Sequence, residues 1–259
     1  MRRECELKYK INEADYSGFG AKLERLGFFY KKKVVETDFI FDTEDRVCRT
    51  AGMLFRIRVE SDCNECWSHT WVTVKIKGKS DIANKKRNTP LKTITFQDNV
   101  EIEFDVCNVN EEEINLCINY LKDITGKSFT PNDFMNCSLC QLTQRIFAHG
   151  FSHLEILQKK REYYNKKQVN VCIDCFSQKD SKYIEIETYN EDDLKEVTEL
   201  LDLSADNLEK RNYGQLILES SGGNCFFCEK IIYDQHNRKI ISVDDLLKDI
   251  KNIKHNSNL

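Results

Sequence analysis

The feature that most constrains this chain is a strand pattern with one apolar face and one face of charges. In the first such stretch, a period of two places Cys5, Leu7 and Tyr9 on one face. The other face carries Glu4, Glu6, Lys8 and Lys10. Two carboxylates two positions apart repel each other, and a divalent cation such as Mg²⁺ would relieve this. Taken alone, this stretch leaves both a metal site and a solvated strand face open.

The same pattern recurs along the chain, and in each case the opposite face is aliphatic or aromatic. The recurring charged faces are Arg56 and Arg58, Lys75 and Lys77, Glu101 and Glu103, Lys159 and Arg161, Asp174, and Glu185 and Glu187. A solvated sheet face normally mixes charge signs with Ser, Thr and Gln. Here each strand carries one dominant sign, which predicts an antiparallel β-barrel with a charged interior and helices packed outside.

Such a charged interior indicates phosphoryl chemistry. Basic strands can neutralise a polyanion, and arginine adds forked donors that match phosphate oxygens. Acidic strands can hold the metal that bridges to those oxygens. The pattern therefore predicts metal-assisted attack on a phosphoryl centre.

Composition supports a soluble globular protein and gives no sign of a membrane or secretory protein. The 259 residues are 40% hydrophobic and 32% charged, with a formal net charge of −4. We expect a cytoplasmic protein, because no apolar run approaches the ~18 residues of a membrane helix and no secretory h-region follows Met1. The twelve cysteines are then expected to be reduced thiols. The net charge provides no global basic field for nucleic acid.

Helical spacing alternates with the strands. We expect amphipathic helices over residues 13–26, 110–124, 191–201 and 207–218, with helix and loop over 125–152. Residues 28–41 are expected to form one or two strands, and residues 42–52 a turn. The Ser-Ser-Gly-Gly run from Ser220 predicts a boundary between a domain of residues 1–219 and an appendix of 220–259. In the appendix, Ser242 would cap a helix over 244–253.

Other signals leave alternatives open. Cys-x-x-Cys spacings occur at Cys63/Cys66, Cys137/Cys140, Cys172/Cys175 and Cys225/Cys228. A structural zinc needs two such pairs that meet, whereas twelve cysteines also produce these spacings by chance. The pair on residues 172 and 175 is excluded, because its members lie on opposite faces of one strand. Tryptophans 67 and 71 either stack on an organic base or pack at a strand end.

The histidines and the basic runs read as surface features. We interpret His149, His153, His236 and His255 as surface residues. The basic runs 31–33 and 85–87 are solvated loops or steer a polyphosphate.

The charged faces also carry a resemblance to a known family. The matching stretches are Glu4-x-Glu6-x-Lys8, Phe55-Arg56-Ile57-Arg58, Thr73-Val74-Lys75, Glu101-x-Glu103, Lys159-x-Arg161, Ile184-Glu185-Ile186-Glu187 and Asn212-Tyr213-Gly214-Gln215-Leu216. In this order they resemble the CYTH family of triphosphate tunnel metalloenzymes. The resemblance implies an α+β fold with an eight-stranded antiparallel tunnel that binds a triphosphate and one or two Mg²⁺ or Mn²⁺ ions. Asn99 stands where the family often has arginine, and residues 128–152 and 220–259 have no counterpart in it.

The resemblance also implies roles for individual residues. Catalytic roles fall to Glu4, Glu6, Asp174, Glu185 and Glu187, with Asp174 assisting or orienting the attacking water. The implied metal ligands are Glu4, Glu6, Glu101, Glu103, Glu185 and Glu187. The implied phosphate-binding residues are Lys8, Arg56, Arg58, Lys75, Lys77, Lys159 and Arg161.

Several functions remain open for such a protein. The favoured one is a metal-dependent hydrolase of inorganic triphosphate, thiamine triphosphate or a nucleoside triphosphate. The alternatives are a class IV adenylyl cyclase, a non-catalytic polyphosphate or triphosphate binder, and a scaffold whose charged faces are ordinary solvent faces. The expected partner is a small triphosphate, and among nucleic acids only an RNA 5′-triphosphate end is considered.

Overall fold

A computed structural model describes residues 2–62, 68–77, 97–108, 110–176, 181–220, 226–227, 231–232 and 241–242. Two compact units are formed from interleaved segments of the chain. The first unit comprises Met1–Lys33, Ile76–Glu101 and Lys160–Asn212. The second unit comprises Val34–Lys75, Ile102–Lys159 and Tyr213–Leu259.

The described strands belong to two sheets. They are β1 (Arg2–Ile11), β2 (Phe29–Asp42), β3 (Met53–Asp62), β4 (Ser68–Lys77), β5 (Gln97–Asp105), β6 (His153–Lys166), β7 (Val169–Phe176), β8 (Ser181–Thr188), β9 (Phe226–Phe227), β10 (Ile231–Ile232) and β11 (Ile241–Ser242). The main sheet has the order β2-β3-β4-β5-β1-β8-β7-β6-β9, and β2 also pairs with β6. Strands β10 and β11 form a small antiparallel pair.

The helices lie between these strands in sequence. They are α1 (Glu13–Arg25), α2 (Val47–Thr50), α3 (Glu111–Thr125), α4 (Leu139–Ala148), α5 (Glu191–Leu200) and α6 (Tyr213–Ser220). Short 3-10 turns occur at Pro131–Asp133 and Ala205–Asn207. The longer helices begin at side-chain caps such as Asn12, Asn110 and Asn190, each of which accepts a backbone N–H two or three residues on.

In the first unit, helices α1 and α5 cover the apolar face of the sheet. Phe19 and Leu23 of α1 and Leu194 of α5 belong to one buried cluster with the strand residues Leu7 and Ile186. These two strand residues are 4% and 0% exposed. The apolar phase read from the sequence is therefore the side that packs against helices.

The second unit has an aromatic core on the corresponding face. The ring of Phe55 on β3 packs edge-to-face against Phe129 and Phe151, with ring centroids 6.3 and 5.2 Å apart. Phe41 on β2 packs in the same way against Phe147 of α4, at 5.9 Å. The expected α+β class, with eight antiparallel strands and helices outside them, is confirmed.

Residues Phe29–Asp42 form a single strand, β2, which is one of the two forms expected for residues 28–41. Two local expectations need correction. The turn expected over residues 42–52 contains the short helix α2. The side chain of Asp42 supports α2 by accepting the backbone N–H groups of Cys48 and Arg49. The helix expected over 207–218 begins only at Tyr213, since Leu208 forms a β-bridge with Tyr9.

Some expectations fall outside the part of the chain that the structure describes. These are the basic loop around residues 85–87, the C-terminal helix over 244–253, and the pairs Cys63/Cys66 and Cys225/Cys228. Within the described residues, none of the helices is both long and apolar enough to span a bilayer.

Candidate functional site

The charged faces contribute one group of side chains to each unit. The group in the first unit lies on β1, β8, β7 and β6, and we call it the carboxylate group; it consists of Glu6, Lys8, Arg161, Asp174, Glu185 and Glu187. The group in the second unit lies on β2, β3 and β6, and we call it the arginine group; it consists of Glu36, Asp38, Arg56, Arg58 and Lys159.

Strand register explains how the carboxylate group forms. Antiparallel pairing of β1 with β8 places Glu6 directly opposite Glu187, and Lys8 opposite Glu185. Pairing of β6 with β7 places Arg161 opposite Asp174. Two carboxylates in directly opposite positions destabilise a sheet unless a cation neutralises them. The register therefore creates a demand for positive charge at this point.

Arg161 supplies much of that charge. Its Nε and one terminal nitrogen donate to the two oxygens of Asp174, both at 2.6 Å. The same guanidinium also donates to Glu185 and, at 3.4 Å, to Glu187. Lys8 adds a second cation, with its ammonium nitrogen 3.4 Å from a Glu185 oxygen. One arginine thus binds three of the predicted catalytic carboxylates.

Burial distinguishes this group from an ordinary sheet surface. Asp174 is 0%, Arg161 4% and Glu185 6% exposed. A fully buried ion is costly unless it is paired and hydrogen-bonded, as these are. The alternative that the charged faces are solvated strand faces is wrong for this group.

A buried thiol lies beside these carboxylates. Cys172 on β7 is directly opposite Glu185, and burial followed by the nearby charge of Glu187 raises its pKa well above the ordinary value. The Cys172 side chain therefore stays a neutral thiol at physiological pH. Because the thiolate is the nucleophilic form of cysteine, burial disfavours a nucleophilic role for this side chain.

The arginine group is organised by Asp38. Arg58 donates from Nε to one oxygen of Asp38 at 2.6 Å and from a terminal nitrogen to the other at 2.9 Å. Arg56 donates to the second oxygen at 3.3 Å. The side chains of Asp38, Arg58 and Arg56 are 5%, 10% and 12% exposed. Asp38 therefore fixes the direction of both predicted phosphate-binding arginines.

Asp38 remains ionised because of these contacts. Burial alone would raise its pKa, but the charges of Arg58 and Arg56 hold the pKa of the carboxyl group below its ordinary value. The arginine group accordingly keeps its ion pairs at neutral and mildly acidic pH.

Glu36 joins this group to Lys159. A terminal nitrogen of Arg58 lies 3.1 Å from a Glu36 oxygen, and the Lys159 ammonium lies 3.3 Å from the same oxygen. The Lys159 ammonium also lies 4.6 Å from the centre of the Tyr213 ring, a cation–π distance. Lys159 is thereby held between a carboxylate and an aromatic face.

The remaining predicted residues are placed less centrally. Glu103 is exposed, accepts from the Thr73 hydroxyl at 2.7 Å and lies 3.7 Å from an Arg56 nitrogen. Glu4, Lys75 and Glu101 are partly buried, and Lys77 is exposed. Thus Glu103 contacts the arginine group in the second unit.

Glu36 and Asp38 are the residues that the sequence reading missed. They alternate on β2 in the same phase, and the register places Asp38 opposite Arg58. The same count of charged faces applied to β2 would have found them. Two expected surface histidines are also partly buried: His149 lies 3.3 Å from Asp133, and His153 lies 3.1 Å from Glu155.

Within the described residues, no three His, Cys, Asp or Glu side chains are already arranged to hold a metal ion. In the carboxylate group the reason is visible, because the guanidinium of Arg161 lies where the carboxylates converge. The cysteines of the described segments, including Cys137 and Cys140, are reduced and form no disulfide bond.

Comparisons with known proteins agree with this architecture. The model of the CYTH domain matches residues 2–213. No curated protein matches the sequence. The PH1819 protein from Pyrococcus horikoshii OT3 is 21% identical, with a TM-score of 0.50 over 84% of this chain and 99% of that chain.

Two further solved structures have lower TM-scores. The PH1012 protein of the same organism is 19% identical, with a TM-score of 0.48 over 81% of this chain and 96% of that one. HpAC1 from Hippeastrum, an adenylyl cyclase candidate described as having a dominant triphosphatase activity, is 14% identical, with a TM-score of 0.47 over 86% and 97%. The similarity to PH1819 shows a shared fold. Because the CYTH domain model matches residues 2–213 of the 259, this protein belongs to the CYTH domain family.

Proposed function

We propose that this protein is a Mg²⁺- or Mn²⁺-dependent hydrolase of triphosphate-containing substrates, with the reaction carried by residues 1–219. The observation that supports it best is the carboxylate group. Glu6 lies opposite Glu187 on neighbouring strands, and the buried Glu185 lies two positions from Glu187. Burying several carboxylates side by side lowers the stability of the fold. Hard divalent cations are the ions that such carboxylates usually bind.

The donor chemistry fits these metals. Carboxylate oxygens are the ligands that Mg²⁺ and Mn²⁺ prefer, and Glu6, Glu185 and Glu187 would hold the ion. When bound, the metal would neutralise charge on phosphate oxygens and lower the pKa of water. Glu4 would support this set from the same strand face as Glu6.

Arg161 has a second role in this proposal. In the structure its guanidinium is shared among Asp174, Glu185 and Glu187. A phosphate group is an equally good bidentate partner for arginine. When a phosphate oxygen binds Arg161, the carboxylates lose part of their cationic partner and become available to the metal. Asp174, whose two oxygens both accept from Arg161, keeps that guanidinium oriented.

The arginine group would bind phosphate through Arg56, Arg58 and Lys159. Two forked guanidiniums and one ammonium match the several oxygens of a polyphosphate. Asp38 and Glu36 hold these cations in place, so little side-chain entropy is lost when an anion binds. The same donors would stabilise charge that develops on the phosphate oxygens in the transition state.

Hydrolysis and cyclisation differ in the nucleophile. A hydrolase uses water, whereas a cyclase uses the ribose 3′-hydroxyl of ATP and must also orient the base. As defined above, both groups consist of charged side chains alone, and the nearby Tyr213 ring lies 4.6 Å from the Lys159 ammonium. We therefore favour hydrolysis and keep the cyclase as the alternative.

A product assay separates these functions. Purified protein would be incubated with tripolyphosphate, thiamine triphosphate, ATP and a triphosphorylated RNA, each with Mg²⁺ or Mn²⁺, and phosphate and cyclic AMP would be quantified. We expect phosphate release from at least one substrate. Cyclic AMP as the main product from ATP would replace the hydrolase by the cyclase. Tight triphosphate binding that persists in EDTA, with no product in either metal, would establish a binding protein.

A further inference from the structure

The start of β2 is an exposed strip that the proposed reaction does not use. We call Phe29, Tyr30, Lys31, Lys32 and Lys33 the aromatic–lysine strip. Phe29 is 70% and Tyr30 49% exposed, and Lys31 is also exposed. Single exposed apolar residues are common, but here two consecutive aromatic residues, which alternate to opposite faces of the strand, are both exposed and are followed directly by three lysines.

The aromatic end of the strip is held firmly from below. Phe28, the residue directly before the strip, is 2% exposed, and the centre of its ring lies 5.5 Å from the Lys166 ammonium nitrogen. The Tyr30 ring meets Tyr164 edge-to-face at 5.5 Å, and Tyr164 is itself buried in the core of the first unit. Tyr30 is therefore fixed by a rigid neighbour while about half of its surface meets solvent. Fixed aromatic rings lose little entropy when they bind a ligand.

The lysines of the strip reach both faces of the strand. The Lys32 ammonium lies 4.8 Å from the centre of the Tyr163 ring, whereas Lys33 pairs with Glu162 at 2.7 Å. Because Tyr163 and Glu162 are consecutive residues of β6, their side chains point to opposite faces of the sheet. The Lys32 and Lys33 ammonium groups therefore lie on opposite faces of the strand, with Lys33 already paired with a carboxylate.

We propose that the aromatic–lysine strip binds single-stranded nucleic acid. Nucleobases stack on exposed aromatic rings, and neighbouring lysines neutralise backbone phosphates. A net charge of −4 for the chain does not oppose this, since charges beyond about 10 Å are largely screened at 0.1 M salt. A flat anionic membrane would engage only one face of the strand, whereas a flexible polynucleotide can follow lysines on both. Inorganic polyphosphate would gain nothing from Phe29 and Tyr30.

The test is a binding measurement that is independent of hydrolysis. Fluorescence anisotropy would follow a labelled RNA of about 12 nucleotides with a 5′-hydroxyl end, a length within the range of single-strand sites. We expect the RNA affinity to fall as salt is added. A plot of the logarithm of the association constant against the logarithm of the salt concentration should have a slope of about −0.7 for each phosphate neutralised. The double variant Phe29→Ser/Tyr30→Ser should weaken binding at least about fivefold, as expected for lost base stacking. The Lys31→Ala variant should make this slope less steep by about 0.7, the contribution of one neutralised phosphate.

Matched controls make the result specific. Tyr189 is 50% exposed on another part of the first unit, and Tyr189→Ser should bind RNA like wild type. Exposed Lys122 on α3 gives the charge control, Lys122→Ala. Circular dichroism melting of each variant checks the fold, and tripolyphosphate hydrolysis should be unchanged in the double variant.

Three outcomes would overturn the proposal. The first is equal RNA affinity of wild type and the folded double variant. The second is no RNA binding, together with binding of phosphatidylserine vesicles that the double variant loses, which would indicate a membrane surface. The third is that polyphosphate and poly-glutamate compete with RNA at equal charge concentration while the aromatic substitutions leave the RNA affinity unchanged. This result would indicate a surface that binds anions in general. A failure of the proposed hydrolysis would leave this binding result unaffected.

Discussion

Replacing Asp38 by asparagine tests how the two predicted phosphate-binding arginines are held. The substitution keeps the size of the side chain but removes the charge that binds Arg58 at 2.6 and 2.9 Å and Arg56 at 3.3 Å. An amide offers one acceptor oxygen, and its NH₂ group would face guanidinium donors. Both arginines would then be buried with an incomplete set of partners.

The expected cost follows from that burial. Removing one partner of a buried ion pair typically costs about 3–5 kcal/mol. Glu36 still contacts Arg58 at 3.1 Å, so we expect the lower end, about 3 kcal/mol. For a protein of this size, that corresponds to a fall in Tm of about 6–12 °C. Because Arg56 and Arg58 lose their orientation, the KM for the preferred triphosphate should also rise.

The difference between wild type and the variant should depend on pH. The folded-state pKa of Asp38 is lowered, so its stabilisation is fully present above the unfolded pKa of about 3.9. This stabilisation is lost as the pH falls below that value and through the lowered folded pKa. Asp38→Asn should therefore differ most from wild type at neutral pH, and the difference should shrink below about pH 4.

Chemical denaturation followed by circular dichroism, at neutral pH and at successively lower pH, measures both effects. Asp192→Asn is the matched control, since that carboxylate is 90% exposed and lies 3.7 Å from Lys195. A surface pair of this kind contributes no more than about 0.5 kcal/mol. The reasoning would be refuted by a loss below about 1 kcal/mol for Asp38→Asn, or by a loss that does not change with pH.

Three further predictions concern packing and the metal site. Ile186→Ala removes a side chain that is 0% exposed and should cost about 2–5 kcal/mol in unfolding free energy, measured by urea denaturation. In α1, a Cβ on Gly20 would lie 2.6 Å from the Tyr164 hydroxyl, whereas one on Gly18 would meet no atom within 4 Å. Gly20→Ala should therefore lower the Tm. Gly18→Ala should raise the Tm, because alanine stabilises a helix interior by about 0.5–1 kcal/mol relative to glycine. Equal Tm shifts in the two variants would contradict this packing. Mg²⁺ or Mn²⁺ should raise the Tm of wild type but raise it less for Glu187→Gln, and equal rises would remove that carboxylate from the metal site.

The sequence predicted the faces of the strands well because a period of two is a local property. Leu7, Ile184 and Ile186 are buried beneath helices, as the alternation requires. On β2 the charged residues Glu36 and Asp38 alternate in one phase, and the apolar Val34 shares that phase. All three are buried, at 0%, 4% and 0% exposure respectively, so burial on this strand follows tertiary contacts as well as the alternation of apolar residues.

The partners of the charges could not be read from the sequence. The sequence predicts that the carboxylates bind metal and that the lysines and arginines bind phosphate. The structure instead pairs them, because the register of β6 with β7 places Arg161 opposite Asp174. The helix expected over 207–218 failed for a related reason, since the backbone N–H of Glu209 donates to the carbonyl of Lys8 at 2.8 Å. Contacts across such sequence distances leave no local signal.

The most direct test of the central claim is a titration of phosphate release against metal concentration. The initial rate with the preferred triphosphate would be measured for wild type, for Glu187→Gln, and for the exposed control Glu199→Gln on α5. We expect phosphate release to require Mg²⁺ or Mn²⁺. The rate for Glu187→Gln should be at least about tenfold lower than that of wild type, which corresponds to about 1.4 kcal/mol in the activation barrier. The rate for Glu199→Gln should equal that of wild type. Release by the folded wild type that is unchanged in EDTA, or equal rates for the two variants, would contradict a metal-dependent reaction at the carboxylate group.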